Sequence, residues 1–385
     1  MAFIAGEVAP GYERVQDAFA DNFANRGELG AAVCVYHRGE KVVDLWGGVA
    51  DAATGRPWSA NTLQAVFSTT KGATAACALL LAQRGELDLD APVASYWPEF
   101  ANAGKETLPV RWILSHQAGL SALDEQLADP FDVADICDRL ARQAPFWEPG
   151  TAHGYHGFTY GWLVGEIVRR ISGKSLGTFF YDEIATPLGL DFWIGLPESE
   201  EPRVSTLVMP ELPPIEVMLA WPDDIKQAGA TNNDPTSLMH RSLSLFSNDV
   251  DWNSPAIHAA EIPAANGITS ARALARMYAS FVGEVDGVRI LDTDIVKQAA
   301  HETDTERDLV MNIQSRFGLG FMLSSAYTPM FGPGSFGHEG SGGSLGCADP
   351  DRELAFGYVM NRMQLNPAGD PRPAALIDAV TASLA

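Results

Sequence analysis

Phe67-Ser68-Thr69-Thr70-Lys71 opens a stretch of small residues, Gly72-Ala73-Thr74-Ala75-Ala76-Cys77-Ala78, that reads as a helix. Positions three apart share a helix face, so the Ser68 hydroxyl and the Lys71 amine can meet. A serine hydroxyl is a weak nucleophile until a base takes its proton. A lysine held out of water, beside other positive density, has its pKa lowered enough to be that base. At a helix start Ser68 also meets the positive end of the helix dipole and free N–H groups, which suit an oxyanion. The tetrad alone is weak evidence. With 23 serines and six lysines in 385 residues, chance supplies roughly 0.4 of them, and a helix-capping serine beside an exposed lysine is the plain alternative.

Two further stretches keep it company. In residues 148–160 (EPGTAHGYHGFTY) a Pro-Gly turn leads through an aromatic loop into a helix, Gly161–Ile171. The loop offers Tyr155, whose hydroxyl can stand at a cleft; a core aromatic with a bonded hydroxyl is the commoner fate of tyrosine. His153 and His156 lie three apart, but no third ligand stands out nearby, so no metal is expected. Residues 337–344 (GHEGSGGS) place much glycine beside a strand pattern, which signals close approach of another backbone or a ligand. Gly342-Gly343-Ser344-Leu345-Gly346 also matches the G-x-S-x-G elbow of α/β-hydrolases. That fold needs a histidine after the serine, and the eight histidines end at His338. Ser344 is therefore read as a strand residue near an oxyanion loop, with little effect on activity when replaced.

Together the three stretches resemble the serine hydrolases of the class C β-lactamase and penicillin-recognising superfamily, in the branch called family VIII carboxylesterases. Leu114-Ser115-His116-Gln117-Ala118-Gly119-Leu120, Tyr160-Gly161-Trp162-Leu163-Val164-Gly165-Glu166, Ala348-Asp349-Pro350-Asp351 and Ala355–Arg362 support the likeness over nearly the whole chain. The resemblance implies that Ser68 is the nucleophile, Lys71 its base and Tyr155 the tyrosine of the family's Y-x-N element. It sets His338, Glu339 and Gly340 where the family carries K-T-G along the substrate edge of the sheet. The backbone N–H groups of Ser68 and Ser341 then form the oxyanion hole. Two departures weaken β-lactam recognition more than ester recognition. His156 and Gly157 follow Tyr155 where an x-Asn pair belongs, and histidine stands at 338 where lactamases use lysine. The expectation is a serine carboxylesterase for short to medium acyl esters with weak or no lactamase activity. An acyltransferase, a β-lactamase or D-amino-acid peptidase, and a non-catalytic acyl-binding sensor are the alternatives. No cofactor is implied.

The chain that must position these groups carries 26 basic and 49 acidic residues, a formal charge of −23. No basic stripe is present to neutralise phosphates, which argues against nucleic acid and anionic membrane surfaces as partners and leaves a small-molecule ester. The first thirty residues lack a basic leader followed by an apolar run, and Cys34, Cys77, Cys137 and Cys347 show no paired spacing, so a cytoplasmic protein with buried thiols is expected.

Val15, Phe19 and Phe23 recur at helical spacing within Gly11–Arg26, and Ala31–Tyr36 and Val42–Trp46 read as a hairpin turning at His37–Glu40. Ser344–Ala348 and Leu354–Met360 read as strands and Ala374–Leu384 as a closing helix. Residues 71–195 are mostly helical between prolines, with a helix ending at Gly119 and His116 structural near its end. Residues 196–263, dense in proline and asparagine, read as long loops, and the Glu198-Ser199-Glu200-Glu201 cluster as a solvated one. The resulting fold is α/β plus helical and β-lactamase-like. It has an antiparallel sheet flanked by helices and built from both chain ends (1–78 and 256–385), with an inserted, mostly helical domain (79–255). Residues 196–255 of that insert are expected to shape an acyl pocket.

Overall fold

A computed structural model describes residues 3–303, 307–367 and 369–384. The chain's two ends supply the strands β1 (Ile4–Val8), β2 (Gly30–His37), β3 (Glu40–Asp51), β4 (Met322–Leu323), β5 (Phe336–Glu339), β6 (Leu345–Asp349) and β7 (Leu354–Met360). They form one antiparallel sheet in the order β1-β3-β2-β7-β6-β5-β4, with Arg56–Pro57 paired onto β3 as its eighth strand. The N-terminal and C-terminal hairpins meet in the middle of the sheet, where Val33 pairs with Tyr358 and Val35 with Phe356.

Alternation along the strands sorts the two faces. Val33 and Val35 of β2 and Phe356, Tyr358 and Met360 of β7 pack with Val15, Phe19, Leu376, Ile377 and Val380. Those residues come from the terminal helices α1 (Glu13–Asn25) and α5 (Pro371–Ser383). Cys34, Tyr36, Ala355 and Val359 face the other way, toward the helix α4 (Ala271–Val282). That face is lined with small residues: a β-carbon at Gly357 would run into the Ala271 carbonyl, and one at Gly346 into Leu274 and Tyr278. The missing side chains let α4 lie directly on the sheet.

Beyond α4 lies α2 (Thr70–Gln83), buried from Thr70 to Leu81 and, Lys71 aside, apolar or small over that stretch. A helix of this kind has no water-facing stripe and belongs in an interior. It packs against α3 (Thr159–Ser172), and Gly72 lets the Tyr278 ring of α4 close on it. A small sheet of Gln64–Ala65, Ile268–Thr269 and Phe192–Trp193 ties the chain before α2 to the chain before α4. Among the described residues no helix is long and apolar enough to cross a membrane.

Three details differ from the sequence-based expectations. β1, five residues interrupted by Gly6 and Glu7, has no alternation of its own and exists through pairing with β3 (Ile4 with Gly47, Val8 with Val43). The helix expected to run to Gly119 stops at Leu114, because His116 takes the left-handed region at φ 61°. Residues 196–263 hold several short helices instead of long loops, including Ile215–Leu219, Asp223–Asn232 and Pro255–Ala259. Pro214, Pro222 and Pro255 stand at their starts, where a missing N–H costs no intrahelical bond. The acidic cluster at 198–201 is likewise engaged: Glu200 pairs with Arg203, and Glu201 with His258.

Candidate active site

From Thr62 to Leu81 every residue is buried except Ser68. The exception comes from a kink. Phe67 sits at φ 45°, a conformation that is costly for a bulky side chain, and it opens the 3-10 turn Phe67–Thr69 that runs into α2. The surroundings hold the kink in place. Thr70 Oγ1 donates to the Phe67 carbonyl at 2.5 Å, and the Phe67 ring packs edge-on against Trp252 at 5.0 Å. Ser344 Oγ donates to the Val66 carbonyl at 2.9 Å and lies 3.0 Å from Thr69 Oγ1. Ser344 is thus more than a strand residue: it ties β6 to the turn that presents Ser68.

Lys71 Nζ lies 2.9 Å from Ser68 Oγ and donates to the Ala264 carbonyl at 3.0 Å. The side chain is wholly buried, and desolvation pushes its pKa well below the ordinary lysine value. Loss of water accounts for the shift; the neighbouring positive density expected from the sequence is not needed. The surrounding imidazoles are pushed toward their neutral forms too. His338 is driven down to about 3 by burial and then by Lys71, His156 to about 4 by burial, and His116 well below its usual value by the same cause.

Tyr155 stands on a loop without regular structure, yet that loop is fixed at nearly every backbone group. Gly154 N–H donates to the His116 carbonyl (3.0 Å), Tyr155 N–H to Asp308 Oδ1 (3.1 Å) and His156 N–H to His116 Nδ1 (3.1 Å). Ser242 Oγ donates to the Tyr155 carbonyl at 3.2 Å. The Tyr155 ring centroid lies 4.8 Å from Lys71 Nζ, and its hydroxyl is hydrogen-bonded with Ser68. Burial raises the phenol's pKa, with the Ser68 bond opposing it. His156 spends both ring nitrogens on structure, Nδ1 on the Gly154 carbonyl (2.7 Å) and Nε2 on the Leu120 N–H (3.0 Å). His153 Nε2 lies 2.9 Å from Ser315 Oγ. No metal-holding group of three His, Cys, Asp or Glu side chains occurs among the described residues.

β5 forms the opposite wall. The His338 ring lies 6.1 Å from that of Tyr155, and its Nδ1 bonds the Glu339 carbonyl at 2.6 Å, which fixes the proton on Nδ1 and leaves Nε2 as an acceptor. Glu339, next along the strand, points to the other face. It lines a cavity with Tyr327, Thr328 and Asp370, and burial raises its pKa to about 7. The fold does not bring that carboxyl to the hydroxyl–amine pair. Gly340 lies against the turn that bears Ser68: a β-carbon there would meet the Val66 carbonyl and the Ser344 hydroxyl. Ser341 follows at the exposed tip, and among the described residues no acceptor takes its N–H.

The hydroxyl, amine and phenol therefore meet, with His338 beside them and Gly340–Ser341 at the edge. Sequence reasoning missed the supports: Ala264, Ser242, Asp308 and the Thr69–Ser344 pair. Thr69, inside the S-x-x-K stretch, and Ser344, inside the glycine-rich stretch, had a local signal, but neither signal pointed to their contact; Ala264, Ser242 and Asp308 had none.

Comparison with known proteins gives the family of this fold. A family model described as Beta-lactamase matches residues 15–381. The chain belongs to the beta-lactamase family. Esterase/beta-lactamase LipL of Mycobacterium tuberculosis is 37% identical over 380 residues, covering 94% of this chain and 83% of the relative. A family VIII carboxylesterase of known crystal structure superposes with TM-score 0.88 at 39% identity, over 99% of this chain and 100% of that one. A penicillin-binding protein homologue from Caulobacter crescentus does so with TM-score 0.84 at 39% identity, over 99% and 100%. Within the beta-lactamase family this chain is a serine hydrolase of the family VIII carboxylesterase branch, an esterase on the β-lactamase-like scaffold.

Proposed function

We propose that the protein hydrolyses short to medium acyl esters through an acyl-enzyme on Ser68, with Lys71 as general base and Tyr155 as general acid. The observation that carries this reading is the buried Lys71 amine 2.9 Å from Ser68 Oγ, its pKa depressed by desolvation. Burial drives the two titratable partners apart: the amine loses its proton easily while the phenol keeps it, which suits base and acid roles respectively. Ser68 Oγ attacks the ester carbonyl as its proton passes to Lys71 Nζ, and the oxyanion is held by the N–H groups of Ser68 and Ser341. As the tetrahedral intermediate collapses, Tyr155 protonates the leaving alkoxide and regains a proton from the Lys71 ammonium. Water then attacks the acyl-enzyme by the same route in reverse, releasing the acid and restoring Ser68.

The acyl group is assigned to the side of Trp252, which packs on Phe67 (5.0 Å) and stacks on Phe158 (6.2 Å), in keeping with a pocket shaped by residues 196–255. His338 supports esters over β-lactams, since a neutral imidazole offers no cation to a lactam carboxylate. LipL carries both activities in its name, so lactam turnover is the second reading. The four cysteines are buried and free, which supports a reducing, cytoplasmic setting. The test is hydrolysis of p-nitrophenyl acetate, butyrate and octanoate beside a chromogenic cephalosporin, with fluorophosphonate labelling and peptide mapping. Labelling of Ser68 with ester turnover well above lactam turnover is expected; a label elsewhere refutes the assignment.

A further inference from the structure

The loop between β5 and β6 is steered from behind by an arginine. The Ser341 N–H shares a peptide unit with the Gly340 carbonyl, and that carbonyl accepts from the Gly343 N–H at 3.0 Å. The Gly343 N–H in turn shares a peptide unit with the Gly342 carbonyl, which accepts from Arg372 Nη2 at 2.6 Å and from the Gln364 N–H at 3.2 Å. Peptide units are planar, so holding one end of each orients the other. Bonds in such a chain also polarise one another in a low-dielectric interior.

Arg372 is built for this single geometry. It lies in the first turn of α5, fully buried, and its five N–H donors are all engaged. Besides Gly342, Nη2 reaches Asp370 Oδ2 (2.7 Å) and Nε reaches Asp370 Oδ1 (3.1 Å). Nη1 serves the Arg362 carbonyl (2.8 Å) and Glu28 Oε1 (3.3 Å). The same packing accounts for two of the glycines in the 337–344 motif. Gly342 sits at φ 88°, and a β-carbon at Gly343 would collide with Asp370 and with the Arg372 guanidinium.

We propose that Arg372 is the positioning residue of the oxyanion hole: through the Gly342–Gly343 and Gly340–Ser341 peptide units it aims and polarises the Ser341 N–H. The inference rests on the reading of Ser341 as oxyanion donor. Arg372 does not touch substrate; it acts through the backbone alone.

Arg372→Lys keeps a cation between Glu28 and Asp370 but loses the planar fork that spans Gly342 and its other partners. Asp370→Asn retains Arg372 and an N-cap for α5 while loosening the guanidinium. Both are assayed on p-nitrophenyl butyrate, with Tm as the check on folding. The acyl-enzyme carbonyl stretch is recorded by infrared difference spectroscopy after acylation with carbonyl-labelled p-nitrophenyl pivalate. Loss of a whole oxyanion donor costs about 100- to 1,000-fold, so a misaimed one predicts a loss of about 10- to 100-fold in kcat/KM for Arg372→Lys and a smaller loss for Asp370→Asn. In both the carbonyl band moves to higher frequency, a signature that general loosening of the fold does not supply. A folded Arg372→Lys with wild-type kcat/KM and an unmoved band overturns the proposal; should that variant not fold, the same result for Asp370→Asn does so. Ser68→Ala in the same assay separates the two levels. If it is active, the reading of the site itself fails; if it is dead while both other variants behave as wild type, only the role of Arg372 fails.

Discussion

Replacing Lys71 by methionine tests whether a neutral amine, and not an ammonium, sits beside Ser68. The two side chains are similar in length, and methionine suits a wholly buried site. Loss of the general base predicts a fall in kcat/KM of about 100- to 10,000-fold. The sharper signature is in stability. In the unfolded chain Lys71 binds a proton up to about pH 10.4, whereas in the folded chain desolvation has lowered its pKa far below that value. Between the two pKa values the unfolded state binds one proton more than the native state, so wild-type stability rises with pH, by about 1.4 kcal/mol per unit for this one group. Lys71→Met lacks that slope. The Ala264 carbonyl loses its donor in the variant, but that penalty is the same at every pH and drops out of the slope. Denaturant unfolding of both proteins in steps below pH 10 is therefore expected to show the variant losing ground to wild type across the window between the folded and unfolded pKa values, by about 1.4 kcal/mol per pH unit there. Parallel stability curves would mean that the native lysine is charged in this range, and the base assignment would fall. The acid limb of the wild-type kcat/KM profile should follow the same ionisation, activity declining as pH drops through the folded pKa.

Ser68→Ala should abolish ester hydrolysis and fluorophosphonate labelling while Tm stays near wild type; measurable turnover would remove Ser68 as nucleophile. Tyr155→Phe should lower kcat/KM on alkyl esters at least 100-fold and on p-nitrophenyl esters by less, because p-nitrophenolate leaves without a proton; equal losses on both would contradict the acid role. Ser344→Ala takes the hydroxyl donor from the buried Val66 carbonyl, which keeps the Thr69 N–H at 3.2 Å, so unfolding measurements should show a loss of about 0.5–1.5 kcal/mol. Its kcat should fall with KM held, and an unchanged kcat would show that the turn bearing Ser68 keeps its kink without that tie.

What could be read from the sequence was what is encoded locally. The β2–β3 hairpin and β7 announce themselves by side chains alternating between two apolar layers, and Ser68 and Lys71 by their three-residue spacing. The remainder is non-local. β1 exists because an edge of β3 lies beside it. Asp308 is 153 positions from the tyrosine whose backbone it holds, and Arg372 is 30 from Gly342; no pattern in the intervening chain links either pair. Prolines misled for a related reason. Their local effect is to end a helix or begin one, and only the packing of residues 196–263 decides which.

The same burial that suits Lys71 to the base role proposed for it constrains what can be turned over. Lys71, His116, His156 and His338 are all held toward their uncharged forms by desolvation, so the nitrogen-bearing groups around Ser68 offer no fixed cation. A ligand carboxylate entering there would give up its water without gaining an ion-pair partner, a large cost in a low-dielectric site. A neutral ester makes no such demand. The product acid, once ionised, meets the cost the lactam carboxylate would have met, and the chain's net charge of −23 favours its departure. One lysine at position 338 would reverse that logic. It would stand beside Lys71, raise the local positive potential, and give an anionic ligand a partner while pressing the Lys71 amine still further toward neutrality. Under the proposed reading, position 338 therefore bears on both properties: it sets the charge preference for substrate directly, and through its field on Lys71 it bears on the activation of Ser68.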